Sequence, residues 1–351
     1  MTPLEKIIRG LIAAEGPMRL DRYMGLCLGH PLHGYYMTRD PLGERGDFIT
    51  APEVSQVFGE LIGVWCIAAW AAMGQPASFN LIELGPGRGT LMSDLLRAAR
   101  RASPDFARSA SMRMVETSPM LRDRQMAILC GQATWHERIE DVPDGPTILV
   151  ANEFFDAIPI RQFERRQNRW FERMMGIADD KFQIGLAPAS LDLPGGEGDI
   201  IETAAARSTI AEAVGRRLAG HPGVALIVDY GHLFSAAGDT LQAMRQHKYV
   251  PLAEAPGDCD ITSHVDFEAL GKALRSGGAT TWPAITQRAF LLAMGLEQRF
   301  AMLASCADEP GRKLLERQMT RLAGEEQMGN LFKILAATPP GLTMPYPFGQ
   351  T

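Results

Sequence analysis

One stretch narrows the possible folds more than any other. Phe79-Asn-Leu-Ile-Glu-Leu84 is a short apolar run, and it leads directly into Gly85-Pro-Gly-Arg-Gly89. From Leu91 to Arg101 the apolar spacing is helical. Strand, glycine turn and helix in that order open a ligand-binding α/β sheet. Glycines let the backbone turn sharply and approach a ligand that a Cβ would push away.

Three more apolar runs follow, at Ser111–Glu116, Thr147–Asn152 and Val224–Asp229, with helical spacing over residues 119–129. Continuous apolar strands alternating with helices indicate a parallel sheet covered on both faces. Before this pattern, residues 3–15 fit an amphipathic helix through Leu4, Ile7, Ile8, Leu11 and Ile12. Residues 29–46 read as irregular loop, and Pro52–Met73 as one long helix stopped by Gly74 and Pro76. After it, residues 160–187 alternate in polarity like a small antiparallel patch, and 188–198 are loop by composition. Val265–Leu274 and Arg288–Met294 are the clearest later helices, and Leu331–Thr338 suits a closing strand. The expected division is a helical N-terminal region over 1–75 and a ligand-binding core over 76–231, with an insertion around 160–200. A helical substrate-side insertion over 232–330 and a strand with tail over 331–351 complete it.

Composition removes several classes. The chain has 351 residues, 46% hydrophobic and 22% charged, which is ordinary for a globular protein. Its longest uncharged apolar run, the 14 residues from Leu61 to Gly74, is shorter than the roughly 20 that a membrane span needs. We read it as a buried helix and expect no membrane insertion. Glu5, Lys6 and Arg9 interrupt any signal-peptide core, so a cytosolic protein is expected. A net charge of −6 argues against a nucleic-acid groove. The five cysteines are far apart with no Cys-x-x-Cys, and no His-x-x-x-His occurs, so no metal site is expected.

The glycine motif carries the chemistry. A dinucleotide fingerprint has its third glycine one residue later and seats a pyrophosphate on the helix N-terminus. S-adenosyl-L-methionine (AdoMet) has no phosphate and needs carboxylates for its cationic end, which Glu83 supplies two residues before Gly85. Gly85, Gly87 and Gly89 form the turn. Glu116 ends the second strand, where an acid accepts both hydroxyls of a ribose diol. Asp141, behind the segment beginning at Trp135, is the candidate for the adenine amine, and Asn152 lies at the third strand's end.

Glu153 and Asp156 follow Asn152, three residues apart around Phe154 and Phe155. Two carboxylates so spaced suit a planar, forked guanidinium, or else they are acids in the first turn of a helix. His232, ending Asp229-Tyr-Gly-His232, is a candidate general base, and Tyr230 a wall of the substrate slot. Gly34-Tyr-Tyr36 reads as a loop able to close over a substrate. Thr50 and Glu53, though explained by a capping box, join Tyr35, Tyr36 and Tyr230 as substrate-side candidates.

Several blocks together carry a family resemblance: GYYMTRDPLGERGDFITAPEVSQVFGE, ELGPGRGTLMSDLLR, VETSP, NEFFDAIPIRQF, DYGH, DITSHVDF, QRAFLLAMG and MGNLFKILA. The chain resembles the MidA family of AdoMet-dependent methyltransferases, which includes the mitochondrial complex I assembly arginine methyltransferase. The resemblance implies a class I, Rossmann-like α/β fold with a seven-strand core and family-specific insertions. It also implies symmetric dimethylation of an arginine on a respiratory complex I subunit. The chain begins at the family's N-terminal helix, which suggests a bacterial, cytoplasmic member, whereas eukaryotic relatives act in the mitochondrial matrix. A methyltransferase acting on RNA or a small molecule, or a non-enzymatic assembly chaperone, are the competing readings.

Overall fold

The computed structural model describes residues 1–39 and 49–348. Two compact units form, each from three chain segments. The first combines Met1–Phe48, Asp156–Ser208 and Phe234–His264; the second combines Ile49–Phe155, Thr209–Leu233 and Val265–Thr351. The boundary therefore falls at 48/49, not at 75.

In the first unit, helix Pro3–Glu15 starts where the Thr2 hydroxyl accepts the Glu5 N–H, and it buries Leu4, Ile8 and Ile12 at four-residue spacing. A second helix, Leu20–Gly29, which the sequence reading did not assign, ends where the expected loop begins. Strands Arg161–Arg166, Arg169–Ala178 and Lys181–Pro188 pair antiparallel, which bears out the patch read from alternation. Ile200–Thr203 extends this sheet. The short strands Gln242–Arg245, Lys248–Val250 and Asp260–Thr262 form a separate three-stranded sheet inside a region expected to be helical.

The second unit holds the α/β core. A four-residue helix α1 (Ala51–Val54) precedes α2 (Gln56–Ala72). The expected single helix is thus split, because Ser55 is extended (φ −160°, ψ 138°) and its hydroxyl accepts the Val57 N–H to start α2 afresh. Next come β1 (Phe79–Leu84), α3 (Thr90–Ala102), β2 (Ala110–Val115) and α4 (Pro119–Ile128). They are followed by β3 (Thr134–His136), β4 (Thr147–Asn152), β5 (Gly223–His232) and the closing strand β6 (Phe332–Thr338).

Across the sheet the order is β6-β5-β4-β1-β2-β3, with short strands Thr280–Thr281, Ile285–Thr286 and Val265–Asp266 at its margins. All neighbours are parallel except β6, which runs antiparallel to β5 with Ala225 opposite Ala337. From β1 the chain moves outward to β2 and β3, then returns to the other side of β1 as β4. Ligands bind at such a reversal, beyond the carboxyl ends of the strands.

Alternation along the strands separates two apolar layers. Phe79, Leu81, Met114, Ile148, Val150, Leu226 and Val228 pack with α2 and α3. Ile82, Leu84, Val115, Leu149, Ala151, Ala225 and Ile227 form the opposite layer with Leu218 and Leu274. Residues 61–74 behave as expected, with Leu61, Ile62, Trp65, Cys66, Ala69 and Trp70 buried. Among the described residues no helix is long and apolar enough to cross a membrane.

Candidate active site

The same alternation aims the polar residues at the strand ends. Glu83 shares the parity of Phe79 and Leu81, Glu116 that of Met114, and Asn152 that of Ile148 and Val150. All three therefore face the α2–α3 layer, at the reversal between β1 and β4, where Leu84 is opposite Ala151.

Between β1 and α3 the glycine turn has φ of 59° at Gly85, 54° at Gly87 and 83° at Gly89, where side chains are strained. The reason for one of these glycines, Gly85, differs from the expected clearance for a ligand. A Cβ at Gly85 would lie 2.7 Å from the Phe154 ring, and one at Gly89 3.4 Å from the Gln125 side chain. The Phe154 ring, packed from β4's loop, demands glycine at 85, whereas at 89 the contact is ordinary and the left-handed φ favours glycine.

Glu83 is 3% exposed, and its Oε2 has no hydrogen-bond partner among the described residues. Burial pushes its carboxyl up to about 8, with the Met92 backbone N–H acting the other way. Asn152 donates to Glu153 Oε1 at 3.1 Å, and its own buried Oδ1 also has no partner. Two orphaned polar atoms beside a left-handed glycine turn fit the cationic end of AdoMet, since unpaired buried polar groups are costly without a ligand.

Glu116 is also buried, at 9% exposed, but well supplied with donors. Its Oε1 accepts the Thr117 and Ser118 N–H groups, each at 2.8 Å, and its Oε2 accepts Gln125 Nε2 at 3.3 Å. Burial raises its carboxyl and these donors oppose the shift. Gln125, in the middle of α4, is fully buried and also donates to the Gly87 carbonyl at 2.7 Å. Sequence reasoning missed it because a glutamine among Arg122, Asp123 and Arg124 looks like solvent-facing helix.

Beyond β4, Glu153 adopts φ 50°, a left-handed conformation rare outside glycine. Residues 153–156 are a turn, so the first-turn-acid explanation fails for both Glu153 and Asp156. Instead the Glu153 carboxylate receives the Ala51 N–H at 3.0 Å and caps α1 from 102 residues away. The expected capping box is absent: Thr50 makes no side-chain cap bond. Glu53 accepts the Thr90 hydroxyl at 2.5 Å and lies 3.4 Å from Arg88, both beside the glycine turn.

Asp229 accepts the Phe155 N–H at 2.9 Å and braces the same turn. Tyr230 packs on Phe332 with ring centroids 5.6 Å apart. His232, partly exposed, stands 3.9 Å from Asp266. The segment from Trp135 to Asp141, expected as a loop, begins in edge strand β3. Asp141 is exposed and accepts the Arg138 N–H at 3.1 Å, which makes it the cap of a short turn.

Three candidates lie in the first unit. Asp156 accepts Ser263 and Arg207 at its backbone carbonyl. Tyr35 is fully buried in that unit's core, and the Tyr36 hydroxyl donates to Asp260 at 2.8 Å. Both tyrosines belong to the short helix Tyr35–Thr38, packed rather than poised as a closing loop. The rest of that expected loop, 40–46, and the start of the Gly46–Glu60 block lie outside the described residues.

With this geometry in hand, likeness to known proteins becomes informative. A family model described as S-adenosyl-L-methionine-dependent methyltransferase matches residues 61–284. The mitochondrial protein arginine methyltransferase NDUFAF7 of Danio rerio is 37% identical, covering 94% of this chain and 86% of the relative. The Homo sapiens protein of that name is 33% identical, over 97% and 84%. Among solved structures, a COG1565 superfamily member from Burkholderia thailandensis bound to S-adenosyl-homocysteine superimposes with a TM-score of 0.85. It is 27% identical, over 97% of this chain and 92% of that one.

Proposed function

We propose, from the premise that this chain belongs to the family of S-adenosyl-L-methionine-dependent methyltransferases, that its acceptor is an arginine ω-nitrogen of a protein, dimethylated symmetrically. The chain is an AdoMet-dependent methyltransferase with a class I-like α/β fold. The arginine reading is carried by the near full-length similarity to relatives named protein arginine methyltransferase. The motif blocks extend the proposal to a respiratory complex I subunit as the protein methylated.

Bound AdoMet supplies a methyl carbon on a positively charged sulfur, open to in-line attack by a nitrogen. Glu83 and Asn152, with their unpaired oxygens, are assigned to its amino end, and Glu116 to its ribose diol. Glycines 85, 87 and 89 shape the turn between them. Glu153, at the end of β4, is assigned to the acceptor guanidinium. A protonated guanidinium is a poor nucleophile, so orientation and electrostatics must supply most of the rate. His232, backed by Asp266, is the candidate for taking the released proton. Asp141, an exposed turn cap, has no part in this assignment; neither does Asp156, nor Tyr35 and Tyr36, which are absorbed in the first unit.

The test is labelled-methyl transfer into cell lysate with the acceptor located by mass spectrometry, run beside Glu153→Gln. That substitution keeps an acceptor for the Ala51 N–H but removes the charge. AdoMet affinity should stay within about threefold while single-turnover transfer falls about a hundredfold, the size of effect that misplaced reactants produce. Label appearing in RNA or a small molecule would overturn the arginine reading. Wild-type transfer by the variant would remove Glu153 from it.

A further inference from the structure

We infer that Gln125 is a positioning residue for the cofactor: its one amide ties the glycine turn to the ribose-holding carboxylate and sets both at once. This rests on the reading of Glu116 as the ribose acceptor. The amide spans three partners from different parts of the sheet edge. Nε2 donates to the Gly87 carbonyl at 2.7 Å and to Glu116 Oε2 at 3.3 Å, while Oε1 accepts the Trp135 indole N–H at 2.7 Å.

Chemistry leaves this arrangement no alternative orientation. An indole N–H is only a donor, and a carbonyl and a carboxylate are only acceptors, so flipping the amide would break all three bonds. Glutamine is the one residue of this length with two N–H groups and an acceptor on the same carbon. Glutamate would set a second carboxyl against Glu116, and methionine would leave three polar groups without this partner, the buried Glu116 Oε2 among them. The side chain also fills the space beside Gly89, where a Cβ would touch its Cγ at 3.4 Å. Trp135, on edge strand β3, thereby reaches the cofactor site through Gln125 without touching a ligand.

A merely structural glutamine would weaken every ligand alike. A positioning glutamine acts on the contact it sets. The comparison is therefore between S-adenosylhomocysteine and its 2′-deoxy analogue, with both dissociation constants measured by calorimetry. In the unmodified protein the deoxy form should bind about ten- to a hundredfold more weakly, as befits a lost hydrogen bond to a charged group. In Gln125→Met that ratio should fall below about threefold, because Glu116 Oε2 has lost the donor that aims it.

Glu116→Gln separates the two readings. A ratio that survives Glu116→Gln overturns the ribose assignment and this proposal with it. A ratio that collapses there but survives in Gln125→Met overturns the proposal alone. Should Gln125→Met not fold, Trp135→Phe makes the milder version of the test by removing only the bond that orients the amide. Its ratio should drop about threefold, and an unchanged ratio overturns the proposal.

Discussion

The ends of β1 and β2 look alike and behave differently. Each adjacent parallel strand leads to a buried glutamate on the same face, Glu83 and Glu116. Glu116 is met by two backbone N–H groups and an amide, whereas Glu83 has one oxygen with no partner among the described residues and a carboxyl pushed up to about 8. Burial raises both carboxyls; at Glu116 two backbone N–H groups and an amide oppose the shift, at Glu83 only the Met92 N–H does. In the proposed assignment the Glu116 end is the acceptor for neutral hydroxyls and the Glu83 end the one that meets a cation.

The harshest way to break this contrast is at Gly87, which touches neither acid but holds the turn beside both. Its φ of 54° is costly for a β-branched residue, and its carbonyl shares the Gln125 amide with Glu116. Gly87→Val should weaken AdoMet more than about a hundredfold while circular dichroism stays native. An affinity within about threefold, less than the 1.4 kcal/mol of a tenfold step, would remove the turn from the site.

Glu116→Ala attacks the standing acceptor alone. A hydrogen bond to a charged group is worth about 1.5–3 kcal/mol, so calorimetry should give AdoMet binding weaker by roughly ten- to a hundredfold. A wild-type dissociation constant would mean that the donors around Glu116 serve the fold only.

The mildest substitution, Glu83→Gln, sharpens the contrast through protons. In the free protein the folded carboxyl sits near 8, above its ordinary 4.5, so the fold favours the protonated form. Stability is therefore greatest below about 4.5 and declines as pH rises toward 8. Glu83→Gln should remove that decline and gain in Tm on the wild type between pH 6 and 9. A bound cation draws the proton off, so AdoMet affinity should rise with pH until about 8. At pH 7 binding should release about one proton, read from heats in buffers of different ionisation enthalpy. Equal release by wild type and Glu83→Gln would show that another group titrates.

The two acids were legible in the sequence because each ends an apolar run, and strand, glycine turn and helix fix where such an end must be. The likeness to AdoMet-dependent methyltransferases was legible in the same way, through motif blocks along nearly the whole chain. What stayed hidden depends on contacts between distant residues. Thr50 and Glu53 had the spacing of a capping box, yet Glu153 takes the cap and Glu53 turns to Thr90. Ser55 breaks a helix without a glycine or proline to signal it. Strands of three or four residues at 242–262 pair only with one another and carry too few residues to show a period. The turn cap at Asp141 was not visible either, because a charged residue after a strand looks the same whether it caps a turn or faces a ligand.

The interleaving of the units governs how the chain can be made and cut. It crosses from one to the other at 48/49, 155/156, 208/209, 233/234 and 264/265. No single cleavage yields a fragment that contains either unit whole and nothing else. During synthesis, β5 emerges more than a hundred residues before its partner β6, since Ala225 pairs with Ala337. Until the last strand leaves the ribosome, the side of β5 that β6 will cover is an open edge, the kind on which chains aggregate. A truncation that removes only β6 leaves that edge open for good, so the sheet closes only once β6 has been made.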